Sequence, residues 1–340
     1  MLRTRLCELL NIEVPIIAAP MGHAVTGPEL AAAVGNAGGL GIVSFGVNPP
    51  PLLRQLIRRI RGLTDKPFGI NFILEFAQEE QIATCIEERV PVLSFFWGDP
   101  SPYVPRAHAA GIKVLHQVGS VTAARRAARA GVDVVVAQGV EAGGHVAGQV
   151  ATMVLVPRVV DAVAPTPVVA AGGIADARGV AAALALGAEG VALGTRFLAT
   201  SEAAAHPAYK ERVVAATEED TVLTTLFGGG WPHAPHRALR TPFVEQWLGQ
   251  EARAQEQRAD EPVLGEVSFA GQRVPVRRFA ALTPSADATG DIASMGLLAG
   301  QSAGLVDRIK PAADIVRELA AGAEHILTTL AAKQPPVRRA

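Results

Sequence analysis

The stretch Ala130-Gly131-Val132-Asp133-Val134-Val135-Val136-Ala137-Gln138 decides the fold. An alanine-rich segment ends in a glycine, and a β-branched apolar run follows at once. The glycine suits the left-handed residue that closes a helix, and the unbroken valine run suits a strand buried on both faces. The same succession recurs at Ala37-Gly38-Gly39-Leu40, Ala110-Gly111-Ile112 and Leu186-Gly187-Ala188-Glu189. Working outward, eight short apolar runs are predicted as strands: Pro15–Ala19, Gly41–Phe45, Phe68–Phe72, Val90–Phe95, Lys113–Gln117, Val134–Gln138, Pro167–Ala171 and Val191–Gly194. Strands alternating with helices imply a parallel sheet. Eight of them at intervals of about 20–30 residues predict an α/β fold, a (β/α)8 TIM barrel over residues 1–200. A doubly wound open sheet is the alternative that the same rhythm allows.

After Thr200 the rhythm stops. Pro207–Thr217 and Phe243–Ala259 are predicted as helices, separated by a loop rich in glycine, proline and histidine over Phe227–Pro242. Val267–Phe269 and Val274–Val276 flank Ala270-Gly271-Gln272-Arg273 as a hairpin. The segment 201–293 therefore reads as a smaller, mainly helical cap that forms the substrate domain. Residues 294–340 read as helices returning to the barrel, the last running from Pro311 to about Ala332, with proline at a favourable first-turn position. The tail Gln334–Ala340 is expected to fray.

Composition narrows the class. The 340 residues carry 31 basic and 32 acidic side chains, and 49% are hydrophobic. A near-neutral balance gives no electrostatic footprint for nucleic acid or an anionic membrane. No apolar run reaches the roughly 18 residues of a spanning helix. Cys7 and Cys85 are too few for a disulfide framework and too far apart for a zinc pattern. A soluble, reduced, cytoplasmic protein acting on a small molecule is expected, with room left for a homodimer.

Barrel active sites sit at the C-terminal ends of the strands, so the residues just after each run carry the chemistry. After the seventh run comes Ala171-Gly172-Gly173-Ile174-Ala175-Asp176, and after the eighth Leu193-Gly194-Thr195-Arg196-Phe197. Two glycine turns at these places form a phosphate cradle, because backbone N–H groups can approach an anion there. After the sixth run comes Gln138-Gly139-Val140-Glu141-Ala142-Gly143-Gly144-His145. A histidine behind two glycines at a barrel mouth suits proton transfer near neutral pH. An ordinary loop histidine fits the pattern equally well.

These three segments, together with Pro15-Ile16-Ile17-Ala18-Ala19-Pro20-Met21, Gly69-Ile70-Asn71 and Ala299-Gly300-Gln301-Ser302-Ala303-Gly304-Leu305, strongly resemble the nitronate monooxygenase family, formerly called 2-nitropropane dioxygenases. That family is similar in fold to the FMN-binding barrels, which include FMN-dependent enoyl-acyl-carrier-protein reductases. The resemblance implies FMN, with Gly172, Gly173, Gly194 and Thr195 on its phosphate. It implies Pro20, Met21, Gly22 and Asn71 against the isoalloxazine or ribityl chain, and Gln117, Glu141, Gly144 and Gln301 as further cofactor contacts. His145 corresponds to the family's catalytic histidine. The implied reaction oxidises alkyl nitronates or nitroalkanes with O2 to carbonyl compounds and nitrite. An NAD(P)H-dependent FMN reductase of enoyl-ACP or quinone type is the alternative. Ala18 departs from the glutamine common just before this segment in relatives, which removes one polar contact to the flavin.

The remaining candidates have plainer readings. His23 follows Met21-Gly22 and is read either as lining the flavin pocket or as a surface loop residue. His116, inside an apolar run, reads as a core histidine. His233 and His236 lie three apart but lack a cysteine or carboxylate partner motif, so a metal pair is disfavoured. Trp97 and Trp231 are open between pocket wall and packing. Arg196 reads as a phosphate contact or a surface ion pair. Cys85 reads as structural, and Gly228-Gly229-Gly230 as a hinge.

Overall fold

The computed structural model describes residues 2–22, 25–44, 48–76, 78–231, 233–256 and 258–332. His23, Phe45 and Gln334–Ala340 lie outside them. The strands in chain order are β1 (Ile16–Ala18), β2 (Leu40–Val43), β3 (Phe68–Ile73), β4 (Val92–Phe96), β5 (Lys113–Val118), β6 (Val134–Gln138), β7 (Gly144–His145), β8 (Val168–Ala171), β9 (Gly190–Leu193), β10 (Thr221–Thr224), β11 (His236–Leu239), β12 (Val263–Phe269), β13 (Gln272–Arg277) and β14 (Thr289–Gly290). Eight form a closed barrel in the order β1-β2-β3-β4-β5-β6-β8-β9. Closure is made by parallel pairing of β1 with β9, Ile17 opposite Ala192, which removes the open-sheet alternative. Gly131 and Gly187, at φ 88° and 92°, are the left-handed helix ends that the opening motif predicts.

The period of two sorts each strand between the two layers of the core. On β6, Val134 and Val136 belong to the inner cluster while Val135 and Ala137 join the outer cluster under the helices. The barrel floor is plugged by the helix Arg5–Leu10, whose Leu6 and Cys7 are fully buried against Ile17, Leu40 and Val134. Continuing that alternation upward puts Gln138, Gln117, Asn71 and Phe96 on the inner face at the barrel mouth. It sends His116 outward, where it is 5% exposed, a core histidine as expected.

The cap differs from expectation. Segment 201–293 is not mainly helical; it carries β10 to β14 alongside short helices at Pro207–Val214, Pro242–Trp247 and Glu251–Gln255. The single helix expected over Phe243–Ala259 is split around Gly249, at φ 81°, which ends one helix before the next begins. The hairpin stands as β12 and β13, with Ala270 and Gly271 at φ 49° and 79° in its two-residue turn. The second small sheet, β10-β11-β7, ties the cap to the barrel, since β7 belongs to the loop after β6. The final helix, Ala312–Ala332, packs on the barrel helix Ala177–Ala185, where a Cβ at Gly322 would come 2.6 Å from the Ala177 Cβ.

Candidate active site

A cleft of about 570 Å³ opens at the C-terminal ends of the barrel strands, beneath the cap. Pro20, Met21 and Gly22 after β1, Asn71 on β3, Gln117 on β5, Gly144 and His145 on β7, Gly172 and Gly173 after β8, and Gly194 and Thr195 after β9 all line it. Eleven of the thirteen residues expected at the site are thus brought together, and Glu141 and Gln301 are not.

The glycine turns have the form expected of an anion cradle. Gly172 and Gly173 sit at φ 98° and 73°. Among the described residues, no backbone acceptor takes the N–H groups of Gly172, Gly173, Gly194 or Thr195. The next helix along, Ala177–Ala185, has its own cap, because the Asp176 carboxylate accepts from the N–H groups of Arg178 and Gly179. An anion bound here is therefore left to the glycine turns. Arg196 faces away from them: it is 5% exposed and donates to the carbonyls of Ala199 and Arg308, clamping the returning segment. Neither role considered for it from sequence is the one it fills. Across the cleft, Asn71 and Gln138 are buried, and their side-chain oxygens lack a protein partner in this amide orientation.

Glu141 is withheld from the cleft by its own bonds. Its carboxylate accepts from the Thr152 N–H and hydroxyl at 3.0 Å, closing the start of helix Thr152–Val163. Gln301 is exposed, and its N–H donates to the Glu141 carbonyl; Ser302 lines the cleft in its place. Both residues hold the loop together, Glu141 through its carboxylate and Gln301 through its backbone. Gly143 and Gly300 meet back to back behind it, where a Cβ on Gly143 would fall 2.4 Å from the Gly300 nitrogen.

His145 is held from several sides. Its ring stacks on Trp231 with centroids 4.1 Å apart at 28°, and the His236 ring stands 5.3 Å away at 62°. Its carbonyl accepts from Gln138 Nε2 at 3.0 Å, and β7 pairs with β11, His145 opposite His236. On β11, the buried Arg237 donates from Nε and Nη2 to the Val140 carbonyl and from Nη1 to Thr221 Oγ1. Replacing Arg237 with alanine leaves that part-buried carbonyl without its guanidinium donors. We expect a stability loss of about 2–3 kcal/mol in urea unfolding; an unchanged midpoint contradicts this role.

His236 is not a metal ligand paired with His233. Nδ1 faces the Ala234 carbonyl at 3.0 Å, and Nε2 accepts from the Phe227 N–H at 3.1 Å, so both nitrogens are committed to the neutral form. Burial pushes His236, and likewise His116, down from 6.5 to about 4. Between those values the unfolded chain binds more protons than the folded one. Stability is therefore full above about pH 6.5 and falls as pH drops toward 4. The expected loss is about 3 kcal/mol per histidine once the pH falls below 4, of which about 2 kcal/mol is reached by pH 5. Urea unfolding at pH 7 and pH 5 checks it, and His116→Phe should remove about half of the slope.

Trp231, Gln138, Gln78, Ser44 and Tyr209 also line the cleft. The period of two on β6 already marks Gln138. Tyr209 is invisible in sequence because its hydroxyl is bound to the Leu298 carbonyl, a contact made only in three dimensions. No helix among the described residues is long and apolar enough to cross a membrane.

A family model described as nitronate monooxygenase matches residues 3–84 and 74–322. Among curated proteins, a (3aS,4S,5R,7aS)-5-hydroxy-7a-methyl-1-oxo-octahydro-1H-indene-4-carboxyl-CoA dehydrogenase of Mycobacterium tuberculosis is 44% identical over 248 residues, 72% of this chain and 68% of that one. Among solved structures, FabK from Thermotoga maritima superposes with a TM-score of 0.82 at 40% identity, covering 98% of this chain and all of its own. The nitroalkane oxidase of Streptomyces ansochromogenes gives 0.79 at 31% identity, covering 96% of this chain and 99% of its own. With the family model spanning the barrel, the cap and the returning segment, the chain belongs to the nitronate monooxygenase family and is an oxidoreductase.

Proposed function

We propose that this chain is an FMN-dependent nitronate monooxygenase, oxidising alkyl nitronates with O2 to carbonyl compounds and nitrite. The observation that carries the reading is the placing of His145 in the same cleft as the glycine turns after β8 and β9. Gly172, Gly173, Gly194 and Thr195 would hold the phosphate through their unclaimed N–H groups. Pro20, Met21, Gly22, Asn71 and Gln117 would meet the ring and ribityl chain, and Gly144 lets the backbone pass close to them. Bound FMN supplies the redox chemistry. His145 binds the anionic nitro oxygens, or takes the proton from a neutral nitroalkane. Residues 1–200 would carry the cofactor, 201–293 would cover the substrate side, and the described part of 294–340 would close the site from behind.

A second reading has a specific basis. The 44% identical relative is named a dehydrogenase, so a reductase or dehydrogenase exchanging hydride with NAD(P)H competes. Oxygen uptake and nitrite release, measured with a nitronate and then with NADH, separate the two. Nitronate-dependent nitrite supports the monooxygenase; NADH oxidation with no nitrite from nitronate overturns it.

A further inference from the structure

Trp97 adopts φ 61°, a left-handed backbone that a bulky aromatic residue rarely takes, and Gly98 follows at 63°. Such a conformation persists only where the surroundings over-determine it, and it clusters at ligand sites. Here the turn is pressed against the end of β3, since a Cβ on Gly98 would lie 2.5 Å from the Leu74 Cβ. The Trp97 indole does not line the cleft. It meets Trp231 edge-on at 4.8 Å and Phe96 at 5.0 Å. Its strained position holds up other rings.

Those rings form one wall of the cleft. Trp231 comes from the cap, Phe96 from the inner face of β4, and Phe76 from the loop after β3. Phe76 meets Trp231 edge-on at 5.4 Å, yet it remains 36% exposed at the cavity. Among the described residues that line the cleft there is no lysine, arginine, aspartate or glutamate. An uncharged aromatic wall beside one histidine suits a ligand with an apolar planar body and a single small polar or anionic group.

We propose that Phe76, Phe96 and Trp231, buttressed by Trp97, form a subsite for a flat ring carried by the substrate. Resting on the reading above, the preferred substrate is then a ring-bearing nitronate rather than a short-chain one. Trp97 is a positioning residue that acts through Trp231.

The test compares the nitronates of phenylnitromethane and 1-nitropropane on the full-length flavin-loaded protein. The expected kcat/KM ratio favours the ring by at least about tenfold, and Trp231→Leu and Trp97→Leu bring it to within about threefold of one. A purely structural role would lower both rates together and keep the ratio. A parent ratio near one, or variants that preserve it, overturns the proposal. Phenylacetate and butyrate, titrated by tryptophan fluorescence, read the subsite without turnover. Tighter phenylacetate binding is expected, again lost in the two variants; equal binding overturns the subsite. Ring-selective binding with no nitronate turnover would overturn the proposed reaction and leave the subsite standing.

Discussion

His145→Ala is expected to lower kcat with a nitronate by about 10²–10⁴-fold, the range for losing a positioned acid–base group, while the protein still binds flavin. The argument is positional. The ring is fixed between Trp231 and His236, and its backbone is fixed by Gln138 and by pairing with β11. None of these contacts involves the glycine turns after β8 and β9, so removing the imidazole leaves the cradle as it was. His145→Asn keeps a side-chain donor and should recover part of the loss. Steady-state kinetics beside the visible spectrum of each variant checks both statements. A variant with parent-like kcat would show that His145 is only a wall of the cleft.

Gly194→Ala should leave the fold intact and weaken the retention of flavin. A Cβ there meets nothing nearer than the Met21 Cγ at 3.8 Å, ordinary contact, and Gly194 has φ −99°, open to any residue. The methyl group therefore costs the chain little and enters the cleft at the proposed cradle. Each charge-assisted contact it blocks is worth about 1.5–3 kcal/mol, or roughly 10–100-fold in affinity. Gly143→Ala is the contrast, because its Cβ would strike the Gly300 backbone and must disturb the loop itself. Thermal melting and flavin content of the two variants are the measurement. Full flavin in Gly194→Ala would move the phosphate away from this turn.

The barrel, and the strand ends at which its cleft opens, were legible in the sequence because they follow from local rules; the individual residues expected in that cleft came mostly from the family resemblance. A helix-closing glycine before an apolar run marks the starts of β2, β5, β6 and β9, and the period of two then says which residue at a strand's end faces the axis. Gln138 could have been found this way. That Glu141 and Gln301 fall outside the cleft lining has another cause: Glu141 is engaged by Thr152, and the Gln301 N–H reaches the Glu141 carbonyl across 160 positions of chain. The cap was the least legible part. Gly249 splits its helix, and β11 finds its partner in a two-residue strand nearly a hundred positions earlier, which no local pattern announces. The hinge expected at Gly228-Gly229-Gly230 is tied down as well, since Gly229 donates to the Phe279 carbonyl and accepts from the Ala281 N–H.

The central claim is that one cleft holds a flavin within reach of His145 and a nitronate. The anaerobic visible spectrum of the purified protein, titrated with an alkyl nitronate, tests it most directly. Prompt loss of the oxidised-flavin bands, abolished in His145→Ala, is the predicted result. A yellow protein whose spectrum ignores nitronate but bleaches with NADH would contradict it and favour the reductase.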